Sequence, residues 1–327
     1  LSIDTREGIL RGGDSGPAIV PGDLNSSLLW TAINWADEDY EMPPKKKLPI
    51  SVIADVKKWI EMGAPDPRVT KAGYVKTEID IEKGKNFWSF KKPTKTPLPA
   101  IKNESWPVSE TDHFILAKLD SNGIIPAVEA MPETLLRRLY FDLIGLPPTP
   151  KDIRRYAAAW KKEPKGAYRK EVEKLLSTEQ FGERWGRHWL DVVRYAESSG
   201  KDINMTFPHA WRYRDYVIDS FNTDKPYNEF IVEQIAGDLL PIKNDEDWQE
   251  NLIATGFLAI GPKNLNERDP RQFALDLADE QIDTTTQAIL GLTVSCARCH
   301  DHKSDPIPTA DYYSLAGVFL NTKTYFG

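Results

Sequence analysis

Cysteine is nearly absent from this 327-residue chain: there are only two. A structural zinc takes four protein ligands, so without a second cysteine pair it would have to recruit distant histidines or carboxylates. A basic surplus is also missing. Lysine and arginine total 42 against 49 aspartate and glutamate, a net charge of −7, which counts against nucleic acid as a partner because phosphate binding calls for excess cations. No apolar run is long enough to cross a bilayer and no signal peptide is visible, so this region is not membrane-spanning. Alternating strand patterns are scarce and no βαβ unit is apparent, which removes the usual setting of a thioredoxin-like dithiol. The acidic stretch Asp276, Asp279, Glu280 and Asp283 matches no EF-hand spacing.

What is present is concentrated where the two cysteines lie. Cys296-Ala297-Arg298-Cys299-His300 has the spacing that attaches a c-type haem. Two thiols at i and i+3 reach the two vinyl groups of one porphyrin, and the adjacent histidine serves as proximal iron ligand. Zinc with recruited ligands, a redox dithiol and a simple disulfide remain the competing readings of the motif by itself. Covalent haem attachment normally takes place outside the cytoplasmic membrane, so a haem reading carries with it an exported, periplasmic or cell-surface protein.

The patterning is mainly α. Residues 1–68 form one unit, with a helix at about 28–33 and a second from Ile50 to Met62 that ends at Gly63. Residues 69–108 read as a Pro/Lys-rich linker, in which Phe87-Trp88-Ser89-Phe90 has the look of a covering strand. Residues 109–327 read as a larger helical domain with Pro/Gly punctuation: helices open at Pro132 and at Thr149-Pro150, and stop at Asn122-Gly123 and Gly145. Leu1-Ser2-Ile3-Asp4 looks like the middle of a domain, so further chain is expected upstream.

Candidate distal groups lie on the helix expected around Phe181–Ser199. Trp185, His188, Trp189, Val192 and Tyr195 share one side of it, with Arg184 and Arg187 alongside. That arrangement suits a haem pocket in which His188 ligates iron and the guanidinium groups hold propionates. A hydrogen-bonded core histidine is the competing reading of His188. Met205 and His209 are weaker candidates. His302 is placed to touch a propionate or to support the site by hydrogen bonding.

Residues 1–68 resemble the later part of a class I cytochrome c domain, through Gly12-Gly13, Gly16-Pro17-Ala18 and Met42-Pro43-Pro44. The resemblance implies Met42 as distal ligand of a second haem c. Either the attachment motif of that haem lies upstream of Leu1, or this unit holds no covalent haem.

The whole chain resembles the Planctomycete-type cytochrome c proteins, in which a domain of unknown function carries its own haem motif. The matching stretches are Cys296–Lys303 with Asp305-Pro306-Ile307, residues 137–150, residues 182–191, residues 211–217 and residues 236–241. The resemblance implies haem c at Cys296, Cys299 and His300, an export signal upstream, a further domain downstream, and a redox partner protein or respiratory component. It also implies a link to polysaccharide use in some members. Three functions are consistent with it: electron transfer, a haem-dependent oxidoreductase acting on a sugar or on peroxide (or the electron-accepting part of one), and a surface binding module with structural haem.

Overall fold

The computed structural model describes residues 6–13, 15–37, 40–67 and 80–325. The expected linker therefore lies partly outside the described residues, at 69–79. The chain divides into two compact units, Leu1–Asp80 and Ile81–Gly327. The described residues are helices, turns and loops, with isolated bridges and no strand among them, as expected for a mainly α chain.

The first unit contains α1 (Arg6–Arg11), α2 (Leu28–Ile33) and α3 (Ile50–Glu61). Its core is Ile19, Ile60 and Ala64, with Leu29, Trp30, Val56 and Trp59 packed around them. The turn between α1 and α2 is fixed by the buried Ser27, whose hydroxyl donates to the Asp23 carbonyl at 2.6 Å and accepts from the Val20 N–H at 2.9 Å.

The second unit opens with the short α4 (Ile81–Gly84), followed by a 3-10 turn at Trp88–Phe90. Phe87, Trp88 and Phe90 therefore form no covering strand: their backbone closes a tight turn and their rings are exposed. After an irregular stretch, α5 (Glu110–Ser121) begins at Ser109, where a capping box with Asp112 satisfies the first amides. The next helices are α6 (Pro132–Ile144), α7 (Pro150–Trp160) and α8 (Pro164–Leu176). Their boundaries follow from local chemistry. Gly145 ends α6 at φ 69°, and Thr149 caps α7 through the Asp152 N–H with proline at the first helical position.

These three helices share a core of Leu136, Leu139, Tyr140, Tyr156 and Leu175. A buried carboxylate sits inside it. Glu171, 1% exposed, accepts from Tyr140 at 3.0 Å and is ion-paired with Arg155 at 2.7 Å and Lys174 at 3.1 Å.

Next come α9 (Glu179–Val192), α10 (Ala210–Asn222), α11 (Tyr227–Ala236), α12 (Asp245–Ala254) and the single turn α13 (Gly256–Ala259). They enclose the aromatic core of Tyr213, Tyr216, Phe230 and Phe257. The side of α9 that carries the aromatic stripe is divided in its burial. Gly182, Gly186 and Leu190 point inward, while Trp185, His188 and Val192 are exposed, leaving Trp189 and Tyr195 as the members of the aromatic stripe that pack on the core. The reason is steric. A Cβ at Gly182 would lie 2.4 Å from the Ile218 carbonyl oxygen, so the glycine side is where the backbone of α10 can approach. Gly182 N–H donates to Asn222 Oδ1 at 2.8 Å across the same contact.

The unit closes with α14 (Pro270–Thr285), a π-helical turn at Thr286–Leu290, the 3-10 turn Val294–Arg298 and α15 (Thr309–Leu320). The α-helix therefore ends at Thr285, and the chain changes its winding before Gly291.

Two tests follow from this packing. Gly182→Ala forces α9 and α10 apart and lowers the unfolding free energy by about 1–3 kcal/mol, read as a lower urea midpoint. The second concerns acid. Asp152 is held well below the usual carboxylate range, chiefly by the Thr149 hydroxyl, with burial opposing and Lys174 and Arg155 assisting. Glu171 is also lowered: burial, its largest influence, raises it, and Arg155, Lys174 and Tyr140 together outweigh that. Carboxyls depressed on folding stabilise above their unfolded values, and that stability is lost as pH falls through the folded ones. Stability should therefore decline as pH drops below about 4, and Glu171→Gln should lower the neutral-pH value while flattening that decline.

Candidate haem-attachment site

Residues 294–298 wind as a 3-10 turn, with Cys299 as its C-terminal cap. At three residues per turn, side chains at i and i+3 eclipse, so Cys296 and Cys299 lie on the same side. Both thiols are free and exposed. The two residues between them explain why. Ala297 is 0% exposed, buried with Ile282, Val294, Ile307 and Tyr312. Arg298 donates to Asp279 of α14 at 3.1 Å. Tyr312 of α15 donates to the other Asp279 oxygen at 2.7 Å, Tyr313 donates to the Arg298 carbonyl at 3.2 Å, and Ser295 donates to the Asp279 carbonyl at 3.3 Å. Burial and then the Asp279 charge push the Tyr312 phenol up, so it remains a proton donor. The inward residues anchor the turn and leave the cysteines facing out.

His300 is exposed, and its Nδ1 lies 2.7 Å from the Asp301 carbonyl oxygen. A carbonyl can only accept, so Nδ1 carries the proton and Nε2 keeps its lone pair. That is the tautomer an iron ligand uses, with the outer nitrogen oriented by the backbone.

His302 is a different histidine. It is 6% exposed, and its Nδ1 accepts from the amides of Asp305 at 2.8 Å and Ser304 at 3.2 Å. Its Nε2 therefore carries the proton and donates to Thr293 Oγ1 at 3.0 Å. Both nitrogens are engaged, so His302 ties the loop after the motif to the residue before it. Its own amide donates to the Ile307 carbonyl at 2.9 Å, and Thr309 N–H donates to Asp301 Oδ1 at 2.9 Å, which closes the loop.

The donor set fits covalent haem: two adjacent free thiols and an imidazole with a free Nε2. It does not fit a structural zinc, because among the described residues no three histidine, cysteine or acidic side chains converge.

The remaining candidates lie on other parts of the chain. His188 is on the exposed face of α9, edge-on to Trp185 with centroids 5.4 Å apart. Arg187 pairs with Asp191 at 2.8 Å, and the stem of Arg184 covers Gly145 at the end of α6. Met205 is exposed, and His209 lines an apolar cleft of about 740 Å³ beside α13. Met42, in the first unit, is 57% exposed, and its N–H donates to the Ala32 carbonyl at 3.1 Å.

A cleft not foreseen from the sequence lies along α14, of about 590 Å³. Its lining includes Lys201, Lys263, Asp276, Glu280, Asp283 and Ser295, the last adjoining Cys296. Glu280 is ion-paired with Arg194. Burial raises the Glu280 carboxyl despite Arg194 and Lys263, and burial lowers the Lys263 ammonium, with Arg194 adding and Glu280 opposing. Acidic spacing on α14 was visible in the sequence, but nothing marked Lys263 as a neighbour of those acids.

The hydrogen bonds of His302 give a direct test. His302→Ala removes the acceptor for Ser304 and Asp305, a loss of about 1–2 kcal/mol locally. Hydrogen exchange of those two amides should accelerate roughly 5- to 30-fold, while His300→Ala should leave them protected.

Residues 110–324 match the model of a protein family of unknown function, PSCyt2 (DUF1549), and residues 1–46 match the model named Planctomycete cytochrome C, PSCyt1. No curated protein and no solved structure matches the chain. The chain belongs to the PSCyt2 (DUF1549) family, and it carries ahead of that region a segment matching Planctomycete cytochrome C.

Proposed function

We propose that this chain is part of an exported c-type cytochrome. Cys296 and Cys299 would hold one haem through thioether bonds, His300 would ligate the iron through Nε2, and the role would be electron transfer to or from a redox partner protein. The observation that carries this reading is the 3-10 turn itself. It exposes two thiols on one side and sets a histidine with a free Nε2 directly after them. When bound, the haem supplies a one-electron couple. The protein's contribution is positional: Ala297 and Arg298 hold the turn, Asp301 orients His300, and His302 fixes the loop.

His188 stands as the proposed distal ligand, and Met42 as the proposed distal ligand of a second haem attached upstream. A haem-dependent oxidoreductase is the second reading. The cleft favours it, because its lining reaches Ser295 and brings Glu280 and Lys263 to the same cavity. A site of that kind can receive a small polar substrate such as a sugar.

Expression with a c-type haem attachment system in an exporting host tests the reading. Haem that resists acid-acetone extraction and is lost in Cys296→Ser and Cys299→Ser supports it; haem that extracts away refutes it. The ferric spectrum then separates the two roles. A low-spin iron indifferent to cyanide, turning high-spin in His188→Ala, supports electron transfer with His188 opposite His300. A high-spin iron that binds cyanide readily supports the enzyme.

A further inference from the structure

The end of α4 packs on the loop that follows the motif. Gly84 is in contact with Pro306: a Cβ placed on that glycine would lie 2.7 Å from the proline Cβ. Pro306 belongs to the loop that His302 and Asp301 tie to the motif through Asp305, Ile307 and Thr309. From Gly84 the backbone turns back at once, with Phe87 N–H donating to the Gly84 carbonyl at 2.9 Å and Phe90 N–H to the Phe87 carbonyl at 3.1 Å.

The product is an aromatic surface. Trp88 is 76% exposed and Phe87 58%, their rings tilted with centroids 5.9 Å apart, and Phe90 is partly exposed. Tyr313, bonded to the Arg298 carbonyl within the motif, is 58% exposed. Large aromatic rings clustered in the open are unusual for a tight turn, since exposing them forgoes the burial that aromatic side chains normally contribute.

We propose that Phe87 and Trp88 form one wall of the porphyrin attached at Cys296 and Cys299. This rests on the haem reading above. The occupant is argued from the tether. Thioether bonds at an exposed turn leave a wide, flat, apolar ring system beside the motif, and the aromatic turn is fixed to the loop that continues it. Aromatic rings accept such a partner stacked or edge-on. Shielding one porphyrin face from water lowers the local polarity and thereby raises the potential of the iron.

Hydroxyl-radical footprinting of the haem-loaded chain, with the haem-free C296S/C299S chain as comparison, tests this by mass spectrometry. Haem attachment should reduce modification of Trp88 and Phe87 several-fold and leave the exposed Trp248 of α12 unchanged. Trp88→Ala should alter the Soret circular-dichroism band and lower the midpoint potential, and Trp88→Phe should restore most of both. Covalent haem with Trp88 modified as readily as in the haem-free chain overturns the proposal while leaving the haem reading intact. Protection of Trp88 in the haem-free chain that grows with concentration also overturns it, because the patch is then covered by a second copy. Absence of covalent haem from the pyridine haemochrome assay overturns both readings.

Discussion

Asp279 is the group on which the rest of the second unit's architecture around the motif depends. One of its carboxylate oxygens accepts from Arg298, the other from Tyr312, and its backbone carbonyl accepts from Ser295. A single residue of α14 thus holds both ends of the 3-10 turn and α15 together. Its neighbour Glu280 points about 100° further around the helix and pairs with Arg194, at the end of α9. Two consecutive acids therefore connect α14 in two directions, one toward the cysteines and one toward the aromatic bundle. A cysteine pair at an exposed turn has little packing of its own; its geometry is borrowed from this helix.

This explains which parts of the molecule were legible in the sequence. Helix boundaries set by local chemistry were readable, because Gly145, Thr149, Pro150 and Asp152 act through their own backbone. The Cys296–His300 spacing was visible because it is contained in five consecutive residues. The face of α9 was not. Aromatic spacing marked the side that carries Trp185 and His188, whereas the contact with α10 is decided by the absence of side chains at Gly182 and Gly186. Periodicity reports where bulky apolar groups recur and is silent about where two backbones can meet. The strand expected at Phe87–Phe90 failed for a related reason: β propensity describes a fit to a pleated neighbour, and among the described residues there is no strand to provide one.

The two histidines of the motif region differ in sequence, His300 lying inside the motif and His302 two residues beyond it as a hydrogen-bonding support, and the structure adds which nitrogen each uses. One donates Nδ1–H to a carbonyl and keeps Nε2 free; the other spends Nδ1 on two backbone amides and Nε2 on Thr293. The difference lies in the turn at Ser304-Asp305, which aims its amides at a buried ring. An exposed imidazole with a lone pair is free to coordinate, and a buried imidazole with both nitrogens engaged is a strut.

The charges beside the turn bear on what an iron there would do. Oxidised haem iron carries one more positive charge than reduced, so nearby carboxylates favour the oxidised form and nearby cations the reduced one. The carboxylate of Asp279 is offset by its pair with Arg298, and that of Glu280 by Arg194 and by burial that favours its neutral form. Asp276 lies more loosely, 3.8 Å from the Arg298 guanidinium and partly exposed. Pairing thus offsets two of the four acids on α14, Asp279 and Glu280. For a haem held at this turn, solvent access would then be a further control on the potential, and under the proposal above the side chains that regulate it would be the exposed aromatics on the turn after α4.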